Sequence, residues 1–113
     1  MPGISIHAVD VSRGLVAAGM RVELLRDSRV IADGGLSPKG LLEDPVLGET
    51  FALGVYAARF HVGAWYADQG VTLPAIPFLQ VVTYHFGISD PAQHYHLPFK
   101  FTPWGYSCFC GGA

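Results

Sequence analysis

The chain reads as an all-β protein, a sandwich of eight short strands with one short helix, and three observations carry that reading. Apolar and polar residues alternate through most segments between turns, the period-2 pattern of strands with one buried face. Clusters of Gly, Pro and Asp recur about every 8–12 residues, the spacing of an antiparallel sandwich. Half of the 113 residues are hydrophobic and only 14% are charged, a balance that needs a packed core and excludes a disordered chain. The length is that of one domain, taken as residues 1–113.

The strands follow in order. Ile4 to Val9 alternates and is closed by Asp10. Met20 to Arg26 alternates over most of its length. Arg29 to Ala32 is a short third run, with Asp33-Gly34-Gly35 read as a hairpin-type turn after it. Glu49 to Leu53 and Gly54 to Val62 are the fourth and fifth strands, Val81 to Ile88 the sixth. His94 to Phe101, a Pro103-Trp104-Gly105 reversal, and Gly105 to Cys110 form a closing hairpin. Gly63 to Gly70 lacks strict alternation and fits one or two helical turns, with Gly70 as the C-terminal stop.

Composition excludes several functions. Seven basic against nine acidic residues give a net charge of −2, and the basic residues are scattered, so nothing resembles the cationic footprint that nucleic acid requires. No apolar run approaches the roughly 20 residues of a membrane-spanning helix. The opening MPGISIHAVD lacks a basic region followed by an apolar stretch, so no secretory signal is expected and the cytoplasm is the expected location. So few charges on so apolar a chain point to self-association as cover for exposed apolar surface. The two cysteines form one Cys-x-Cys, too close for an easy intrachain bridge.

The chemistry-bearing residues gather near the C-terminus. His94 and His96 stand two apart on one strand and therefore share a face. Cys108 and Cys110 do the same on the next strand. A Cys-x-Cys on a strand reads as two small buried residues, or, for Cys110 near an imidazole, as a nucleophile. Two thiols two residues apart make a poor zinc set, and no metal is expected. His61 and His85 read as satisfied or surface histidines, and Trp104 and Tyr106 as core or interface aromatics.

These motifs together resemble the transthyretin-like proteins, and specifically their enzymatic branch, the 5-hydroxyisourate hydrolases of urate catabolism. The resemblance rests on Ile6-His7-Ala8-Val9-Asp10, Arg13-Gly14, Ala32-Asp33-Gly34, Phe60-His61-Val62-Gly63, Pro77-Phe78-Leu79, His94-Tyr95-His96-Leu97-Pro98 and Pro103-Trp104-Gly105-Tyr106-Ser107. It implies a homotetramer built as a dimer of dimers. It also implies a pocket between dimers in which a cyclic ureide, a small-molecule substrate, is hydrolysed without metal or organic cofactor. Carried over by position, it implies His7 and His96 as catalytic histidines; His94 is a secondary candidate because strict alternation puts it on the face of His96.

The remaining pocket positions depart from the family. Its arginine after the Asp-Gly pair falls on Gly35, and its terminal Tyr-Arg-Gly-Ser falls on Phe109-Cys110-Gly111-Gly112, with Ala113 beyond. Only the glycine at 111 is kept. A charge-assisted hydrogen bond is worth about 1.5–3 kcal/mol, so losing two arginines would weaken binding of an anionic ureide by roughly a hundredfold or more. Lys39, near the lost arginine, is a point charge on a flexible stem that could stand in for it. Phe109, Cys110 and Trp104 would suit a more apolar ligand. The expectation is a hydroxyisourate-hydrolase-like enzyme retargeted to another small cyclic substrate, with Gly35, Lys39, His94, Trp104, Phe109, Gly111 and Gly112 around it. The alternatives are a non-catalytic small-ligand binding protein and a weak hydroxyisourate hydrolase.

Overall fold

The computed structural model describes residues 2–112; Met1 and Ala113 lie outside the described residues. In chain order the elements are β1 (Gly3–Asp10), β2 (Leu15–Val16), β3 (Arg21–Arg26), β4 (Arg29–Gly35), a 3-10 turn (Pro45–Gly48), β5 (Gly54–His61), α1 (Val62–Asp68), β6 (Val81–Ile88), β7 (His94–Thr102) and β8 (Gly105–Cys108). They form two four-stranded sheets, ordered β2-β1-β7-β8 and β4-β3-β5-β6. The inward residues of each fill one core between the sheets. Alternation is why: Ile4, Ile6 and Ala8 of β1 and Tyr95, Leu97, Phe99 and Phe101 of β7 are buried, and their neighbours in sequence turn outward.

The two sheets are pinned by aromatic stacking. Phe60 of β5 lies flat on Phe99 of β7, ring centroids 3.9 Å apart, and both are fully buried. Truncating either ring would cost about 3–5 kcal/mol. Helix α1 closes one end by burying Trp65 and Tyr66 against Phe101, and the Trp65 indole N–H donates to the Ala18 carbonyl at 2.8 Å. Gly70 follows at φ +71, the left-handed stop that the sequence implies.

Four elements differ from the sequence reading. Residues 49–53 are not a strand: Asp44 caps the 3-10 turn by accepting from the Val46 N–H, and Phe51 serves as an anchor, edge-on to Tyr56 at 5.7 Å. The missing strand is β2, whose two residues pair with Val9 and Asp10 and are too few to show alternation. Asp33-Gly34-Gly35 is not a turn but the end of β4, paired with Arg21 to Glu23. The reversal falls earlier, at Asp27 (φ 51) and Ser28 (φ 62), the pair of positive φ values that a tight two-residue hairpin requires. The closing strand ends at Cys108 rather than Cys110, with Gly111 resuming as a single bridge to His96.

Candidate active site

The site is built by the parallel pairing of β1 with β7, which sets Gly3 opposite His94, Ser5 opposite His96 and His7 opposite Pro98. All of these lie on the outer face, because the intervening Ile4, Ile6, Tyr95 and Leu97 are buried. His7, His94 and His96 thus share one open face of the β2-β1-β7-β8 sheet. Ser5 stands between two of them, its Oγ 2.9 Å from His94 Nε2 and 2.6 Å from His96 Nδ1. His94 Nδ1 points to the Pro2 carbonyl at 3.4 Å. The His7 Nε2–H donates to the Lys39 carbonyl at 3.0 Å, so Lys39 reaches the site through its backbone.

Two glycines make room for His96 and His7. A Cβ at Gly111 would lie 2.8 Å from His96 Cδ2 and 3.2 Å from Pro98 Cδ, closer than a side chain tolerates. The Gly111 N–H meanwhile donates to the His96 carbonyl at 2.8 Å, so the tail is held by backbone alone. Gly40, at φ +76, does the same for His7: a Cβ there would be 3.3 Å from His7 Cδ2 and 2.9 Å from the Ala8 carbonyl. The glycine of the terminal tetrapeptide is therefore a spacer for His96.

Electrostatics favour a neutral imidazole at His96. Burial lowers its pKa first, and the neighbouring His7 and His94 lower it further. A neutral imidazole near neutral pH is equipped to accept a proton.

The other sequence-derived candidates are dispersed. Pairing runs from Phe99 opposite Cys108 to His96 opposite Gly111, which sets Phe109 opposite Pro98 on the histidine face and Cys110 opposite Leu97 on the reverse one. Phe109 is 42% exposed, with Lys100 Nζ 5.8 Å from its ring centre. Cys110 is exposed, and the Tyr84 phenol is pushed up by burial first and by the Cys108 and Cys110 thiols after it. Cys108 is held as a thiol, its pKa raised to about 11 by burial. Trp104 lies at the β7–β8 turn beside Phe78, past Thr102, which is itself six residues along β7 and roughly 20 Å from His96 at strand rise. Gly35 ends β4 in the other sheet, where an added Cβ would meet only ordinary contacts with Gly19. Gly112 follows Gly111 in open space.

Sequence alone does not single out Ser5, Gly40 or Lys100. Ser5 looks like any polar residue of an alternating strand, and only the β1–β7 register, joining residues 89 and 91 positions apart, gives it a role. The remaining histidines are accounted for elsewhere. His61 donates to Glu23 at 2.6 Å, and His85 lines a groove of about 400 Å³ on the outer face of the other sheet, with Arg59, Thr83 and Ser28.

A sandwich of two four-stranded sheets with an outward histidine cluster on paired first and seventh strands defines a transthyretin-type protein. The HIUase/Transthyretin family profile matches residues 4–111, and the chain belongs to that family. It is 38% identical to a 5-hydroxyisourate hydrolase of Halalkalibacterium halodurans, with 96% of each chain covered. Among solved structures it resembles Klebsiella pneumoniae 5-hydroxyisourate hydrolase, with a TM-score of 0.84, 28% identity, and 99% of this chain and 100% of that one covered. It also resembles an (S)-allantoin synthase, with a TM-score of 0.89 and 30% identity over 97% of this chain. The chain spans 43% of that synthase.

Proposed function

We propose that the chain is a hydroxyisourate-hydrolase-like enzyme that opens a small cyclic ureide- or lactam-type ring by general acid–base catalysis with His7 and His96. The observation that carries this reading is the pair of imidazoles sharing one face, each with one nitrogen engaged and the other free. Neutral His96 takes a proton from water as its oxygen attacks the ring carbonyl. Protonated His7, braced by the Lys39 carbonyl, gives its proton to the ring nitrogen as the C–N bond breaks. Neither metal nor organic cofactor is needed for that sequence. The face is open on a single chain, and a second copy laid over it, in a homotetramer, would exclude water and complete a pocket.

The substrate proposed is less anionic and more apolar than hydroxyisourate, because Gly35 stands where the resemblance implies arginine and Phe109 where it implies tyrosine. A spectrophotometric assay on freshly generated hydroxyisourate, run beside neutral cyclic imides and lactams, tests both halves. His7→Ala and His96→Ala should each lower turnover of the accepted substrate about 100-fold or more. Unchanged turnover in either would sink the acid–base reading. If the arginine that the resemblance sets at position 35 reaches across from the end of β4 to the substrate, Gly35→Arg should raise kcat/KM for hydroxyisourate by about tenfold to a hundredfold, the worth of one charge-assisted hydrogen bond. A wild-type rate on hydroxyisourate already matching its best alternative would refute retargeting.

One observation favours a second reading, a binding protein for an apolar aromatic ligand: Phe109, half exposed on the histidine face. Thermal stabilisation by such ligands with no product on long incubation would select it.

A further inference from the structure

We infer that Ser5 and His94 form a hydrogen-bond relay that fixes the tautomer of His96, holding its proton on Nδ1 and leaving Nε2 bare as the base; this rests on the acid–base reading above. The direction of the relay follows from its far end. The Pro2 carbonyl can only accept, so His94 Nδ1, 3.4 Å away, carries the proton. The Nε2 of neutral His94 is then an acceptor, and the Ser5 hydroxyl, 2.9 Å from it, donates there. A hydroxyl has one proton to give, so its oxygen receives the proton of His96 Nδ1 at 2.6 Å. A neutral imidazole has one N–H, and His96 Nε2 is left with its lone pair. The opposite orientation would set the bare Nδ1 of His94 against the carbonyl lone pairs of Pro2.

Ser5 and His94 are positioning residues in this scheme, acting through His96 rather than on substrate. The arrangement is the counterpart of an acidic orienter behind a catalytic histidine, with a neutral hydroxyl–imidazole pair in place of the carboxylate. A neutral orienter fixes the tautomer without adding a negative charge that would raise the basicity of His96. That suits a base already held low by burial and by its two neighbouring imidazoles.

Nitrogen NMR of the full-length protein labelled in its histidines reads the tautomer directly, without substrate. In the wild type His96 should show a protonated Nδ1 and an unprotonated Nε2. Ser5→Ala and His94→Ala should each shift His96 toward the Nε2–H form, the ordinary preference of a free imidazole, and Ser5→Thr should restore the wild-type pattern. With the accepted substrate, Ser5→Ala should lower kcat about tenfold and leave KM within about twofold, with Ser5→Thr restoring kcat. A wild-type Nε2–H tautomer, or a His96 tautomer unmoved by Ser5→Ala, overturns the relay. Should the tautomer respond as expected while no ring-opening occurs with any substrate, the relay stands and the enzymatic reading fails.

Discussion

Both sheets turn histidines outward, and the two outer faces use them in opposite ways. On the β4-β3-β5-β6 sheet, Glu23 is nearly buried, 5% exposed. Its carboxylate accepts from His61 at 2.6 Å and Arg59 at 3.1 Å and lies 3.5 Å from Arg21, which also pairs with Asp33. The hydrogen bond from His61, against the opposing effect of burial, keeps that carboxylate below its ordinary pKa. Charge is matched by charge there, and the histidine is a structural donor. On the β2-β1-β7-β8 sheet, the histidines meet only a hydroxyl and backbone carbonyls. Among the described residues no carboxylate pairs with them, and His7 and His96 each keep one ring nitrogen available. The partner, more than the residue type, separates a histidine that holds the fold from one able to move protons.

The largest effect expected from testing that contrast comes from Gly111→Ala. Its new Cβ would sit 2.8 Å from His96 Cδ2 and within 3.3 Å of two Pro98 ring carbons, and the proline cannot swing away. Overpacking of this kind costs about 1–3 kcal/mol, and here relief comes from turning the His96 ring off Ser5. Turnover should fall by about tenfold to a hundredfold, with a smaller loss of stability in denaturant. Gly112→Ala, in open space, is the control and should leave both unchanged. Equal behaviour of the two variants would remove the spacer role from Gly111.

That role also shows what the sequence could and could not disclose. Alternation exposes β1, β6 and β7 because each buries one face, and it correctly sets His94 and His96 side by side. It fails at 49–53, where apolar Phe51 is one anchor in a loop rather than part of a row, and at β2, which has no room for a pattern. Turn chemistry misleads at Asp33-Gly34-Gly35, since the reversal is made by Asp27 and Ser28 with no glycine to mark it. In the site, residue types and strand faces were legible, whereas register was not. Ser5 meets His94 and His96 only through a parallel pairing of the first and seventh strands. Cys110 falls away from the imidazoles because its side chain takes the parity of Leu97.

The second effect in size belongs to the other face. Glu23→Gln keeps the shape but removes the charge that three cationic-type partners share, and should destabilise the protein by about 1–3 kcal/mol, read by chemical denaturation. Turnover should stay within about twofold, because the network does not touch His7, His94 or His96. A large loss of kcat with stability intact would join the two faces functionally and end the contrast.

Acid separates the faces further. The folded protein holds His96 below its ordinary value of 6.5, by burial and by two neighbouring imidazoles. The unfolded chain therefore takes up that proton first as pH falls. The stability this group contributes is complete above about 6.5 and is lost as pH drops through the folded value. Glu23, depressed from 4.5, contributes stability that is complete above its unfolded value and lost only at lower pH. A stability–pH curve should thus decline in two steps. His96→Gln should abolish the upper one and Glu23→Gln should shrink the lower, to which the depressed Asp10 and Asp33 also contribute, and a variant acting on the wrong step would reverse the assignment.

The smallest effect is expected at Cys110, and it discriminates most sharply between two accounts of the terminal substitutions. If the cysteine that replaces the family's arginine were a nucleophile, Cys110→Ser would lower turnover by orders of magnitude. The register of Phe99 with Cys108 and of His96 with Gly111 instead gives Cys110 the parity of Leu97, on the face opposite the imidazoles of its own chain. Cys110→Ser should therefore change kcat by less than about twofold. Exposed just past the end of edge strand β8, Cys110 should still react with a thiol reagent, whereas Cys108, partly buried with its pKa raised, should react slowly. A loss of activity that tracks alkylation of Cys110 would mean that a second copy brings its own histidine face to that thiol. The terminal tetrapeptide would then act across chains rather than within one.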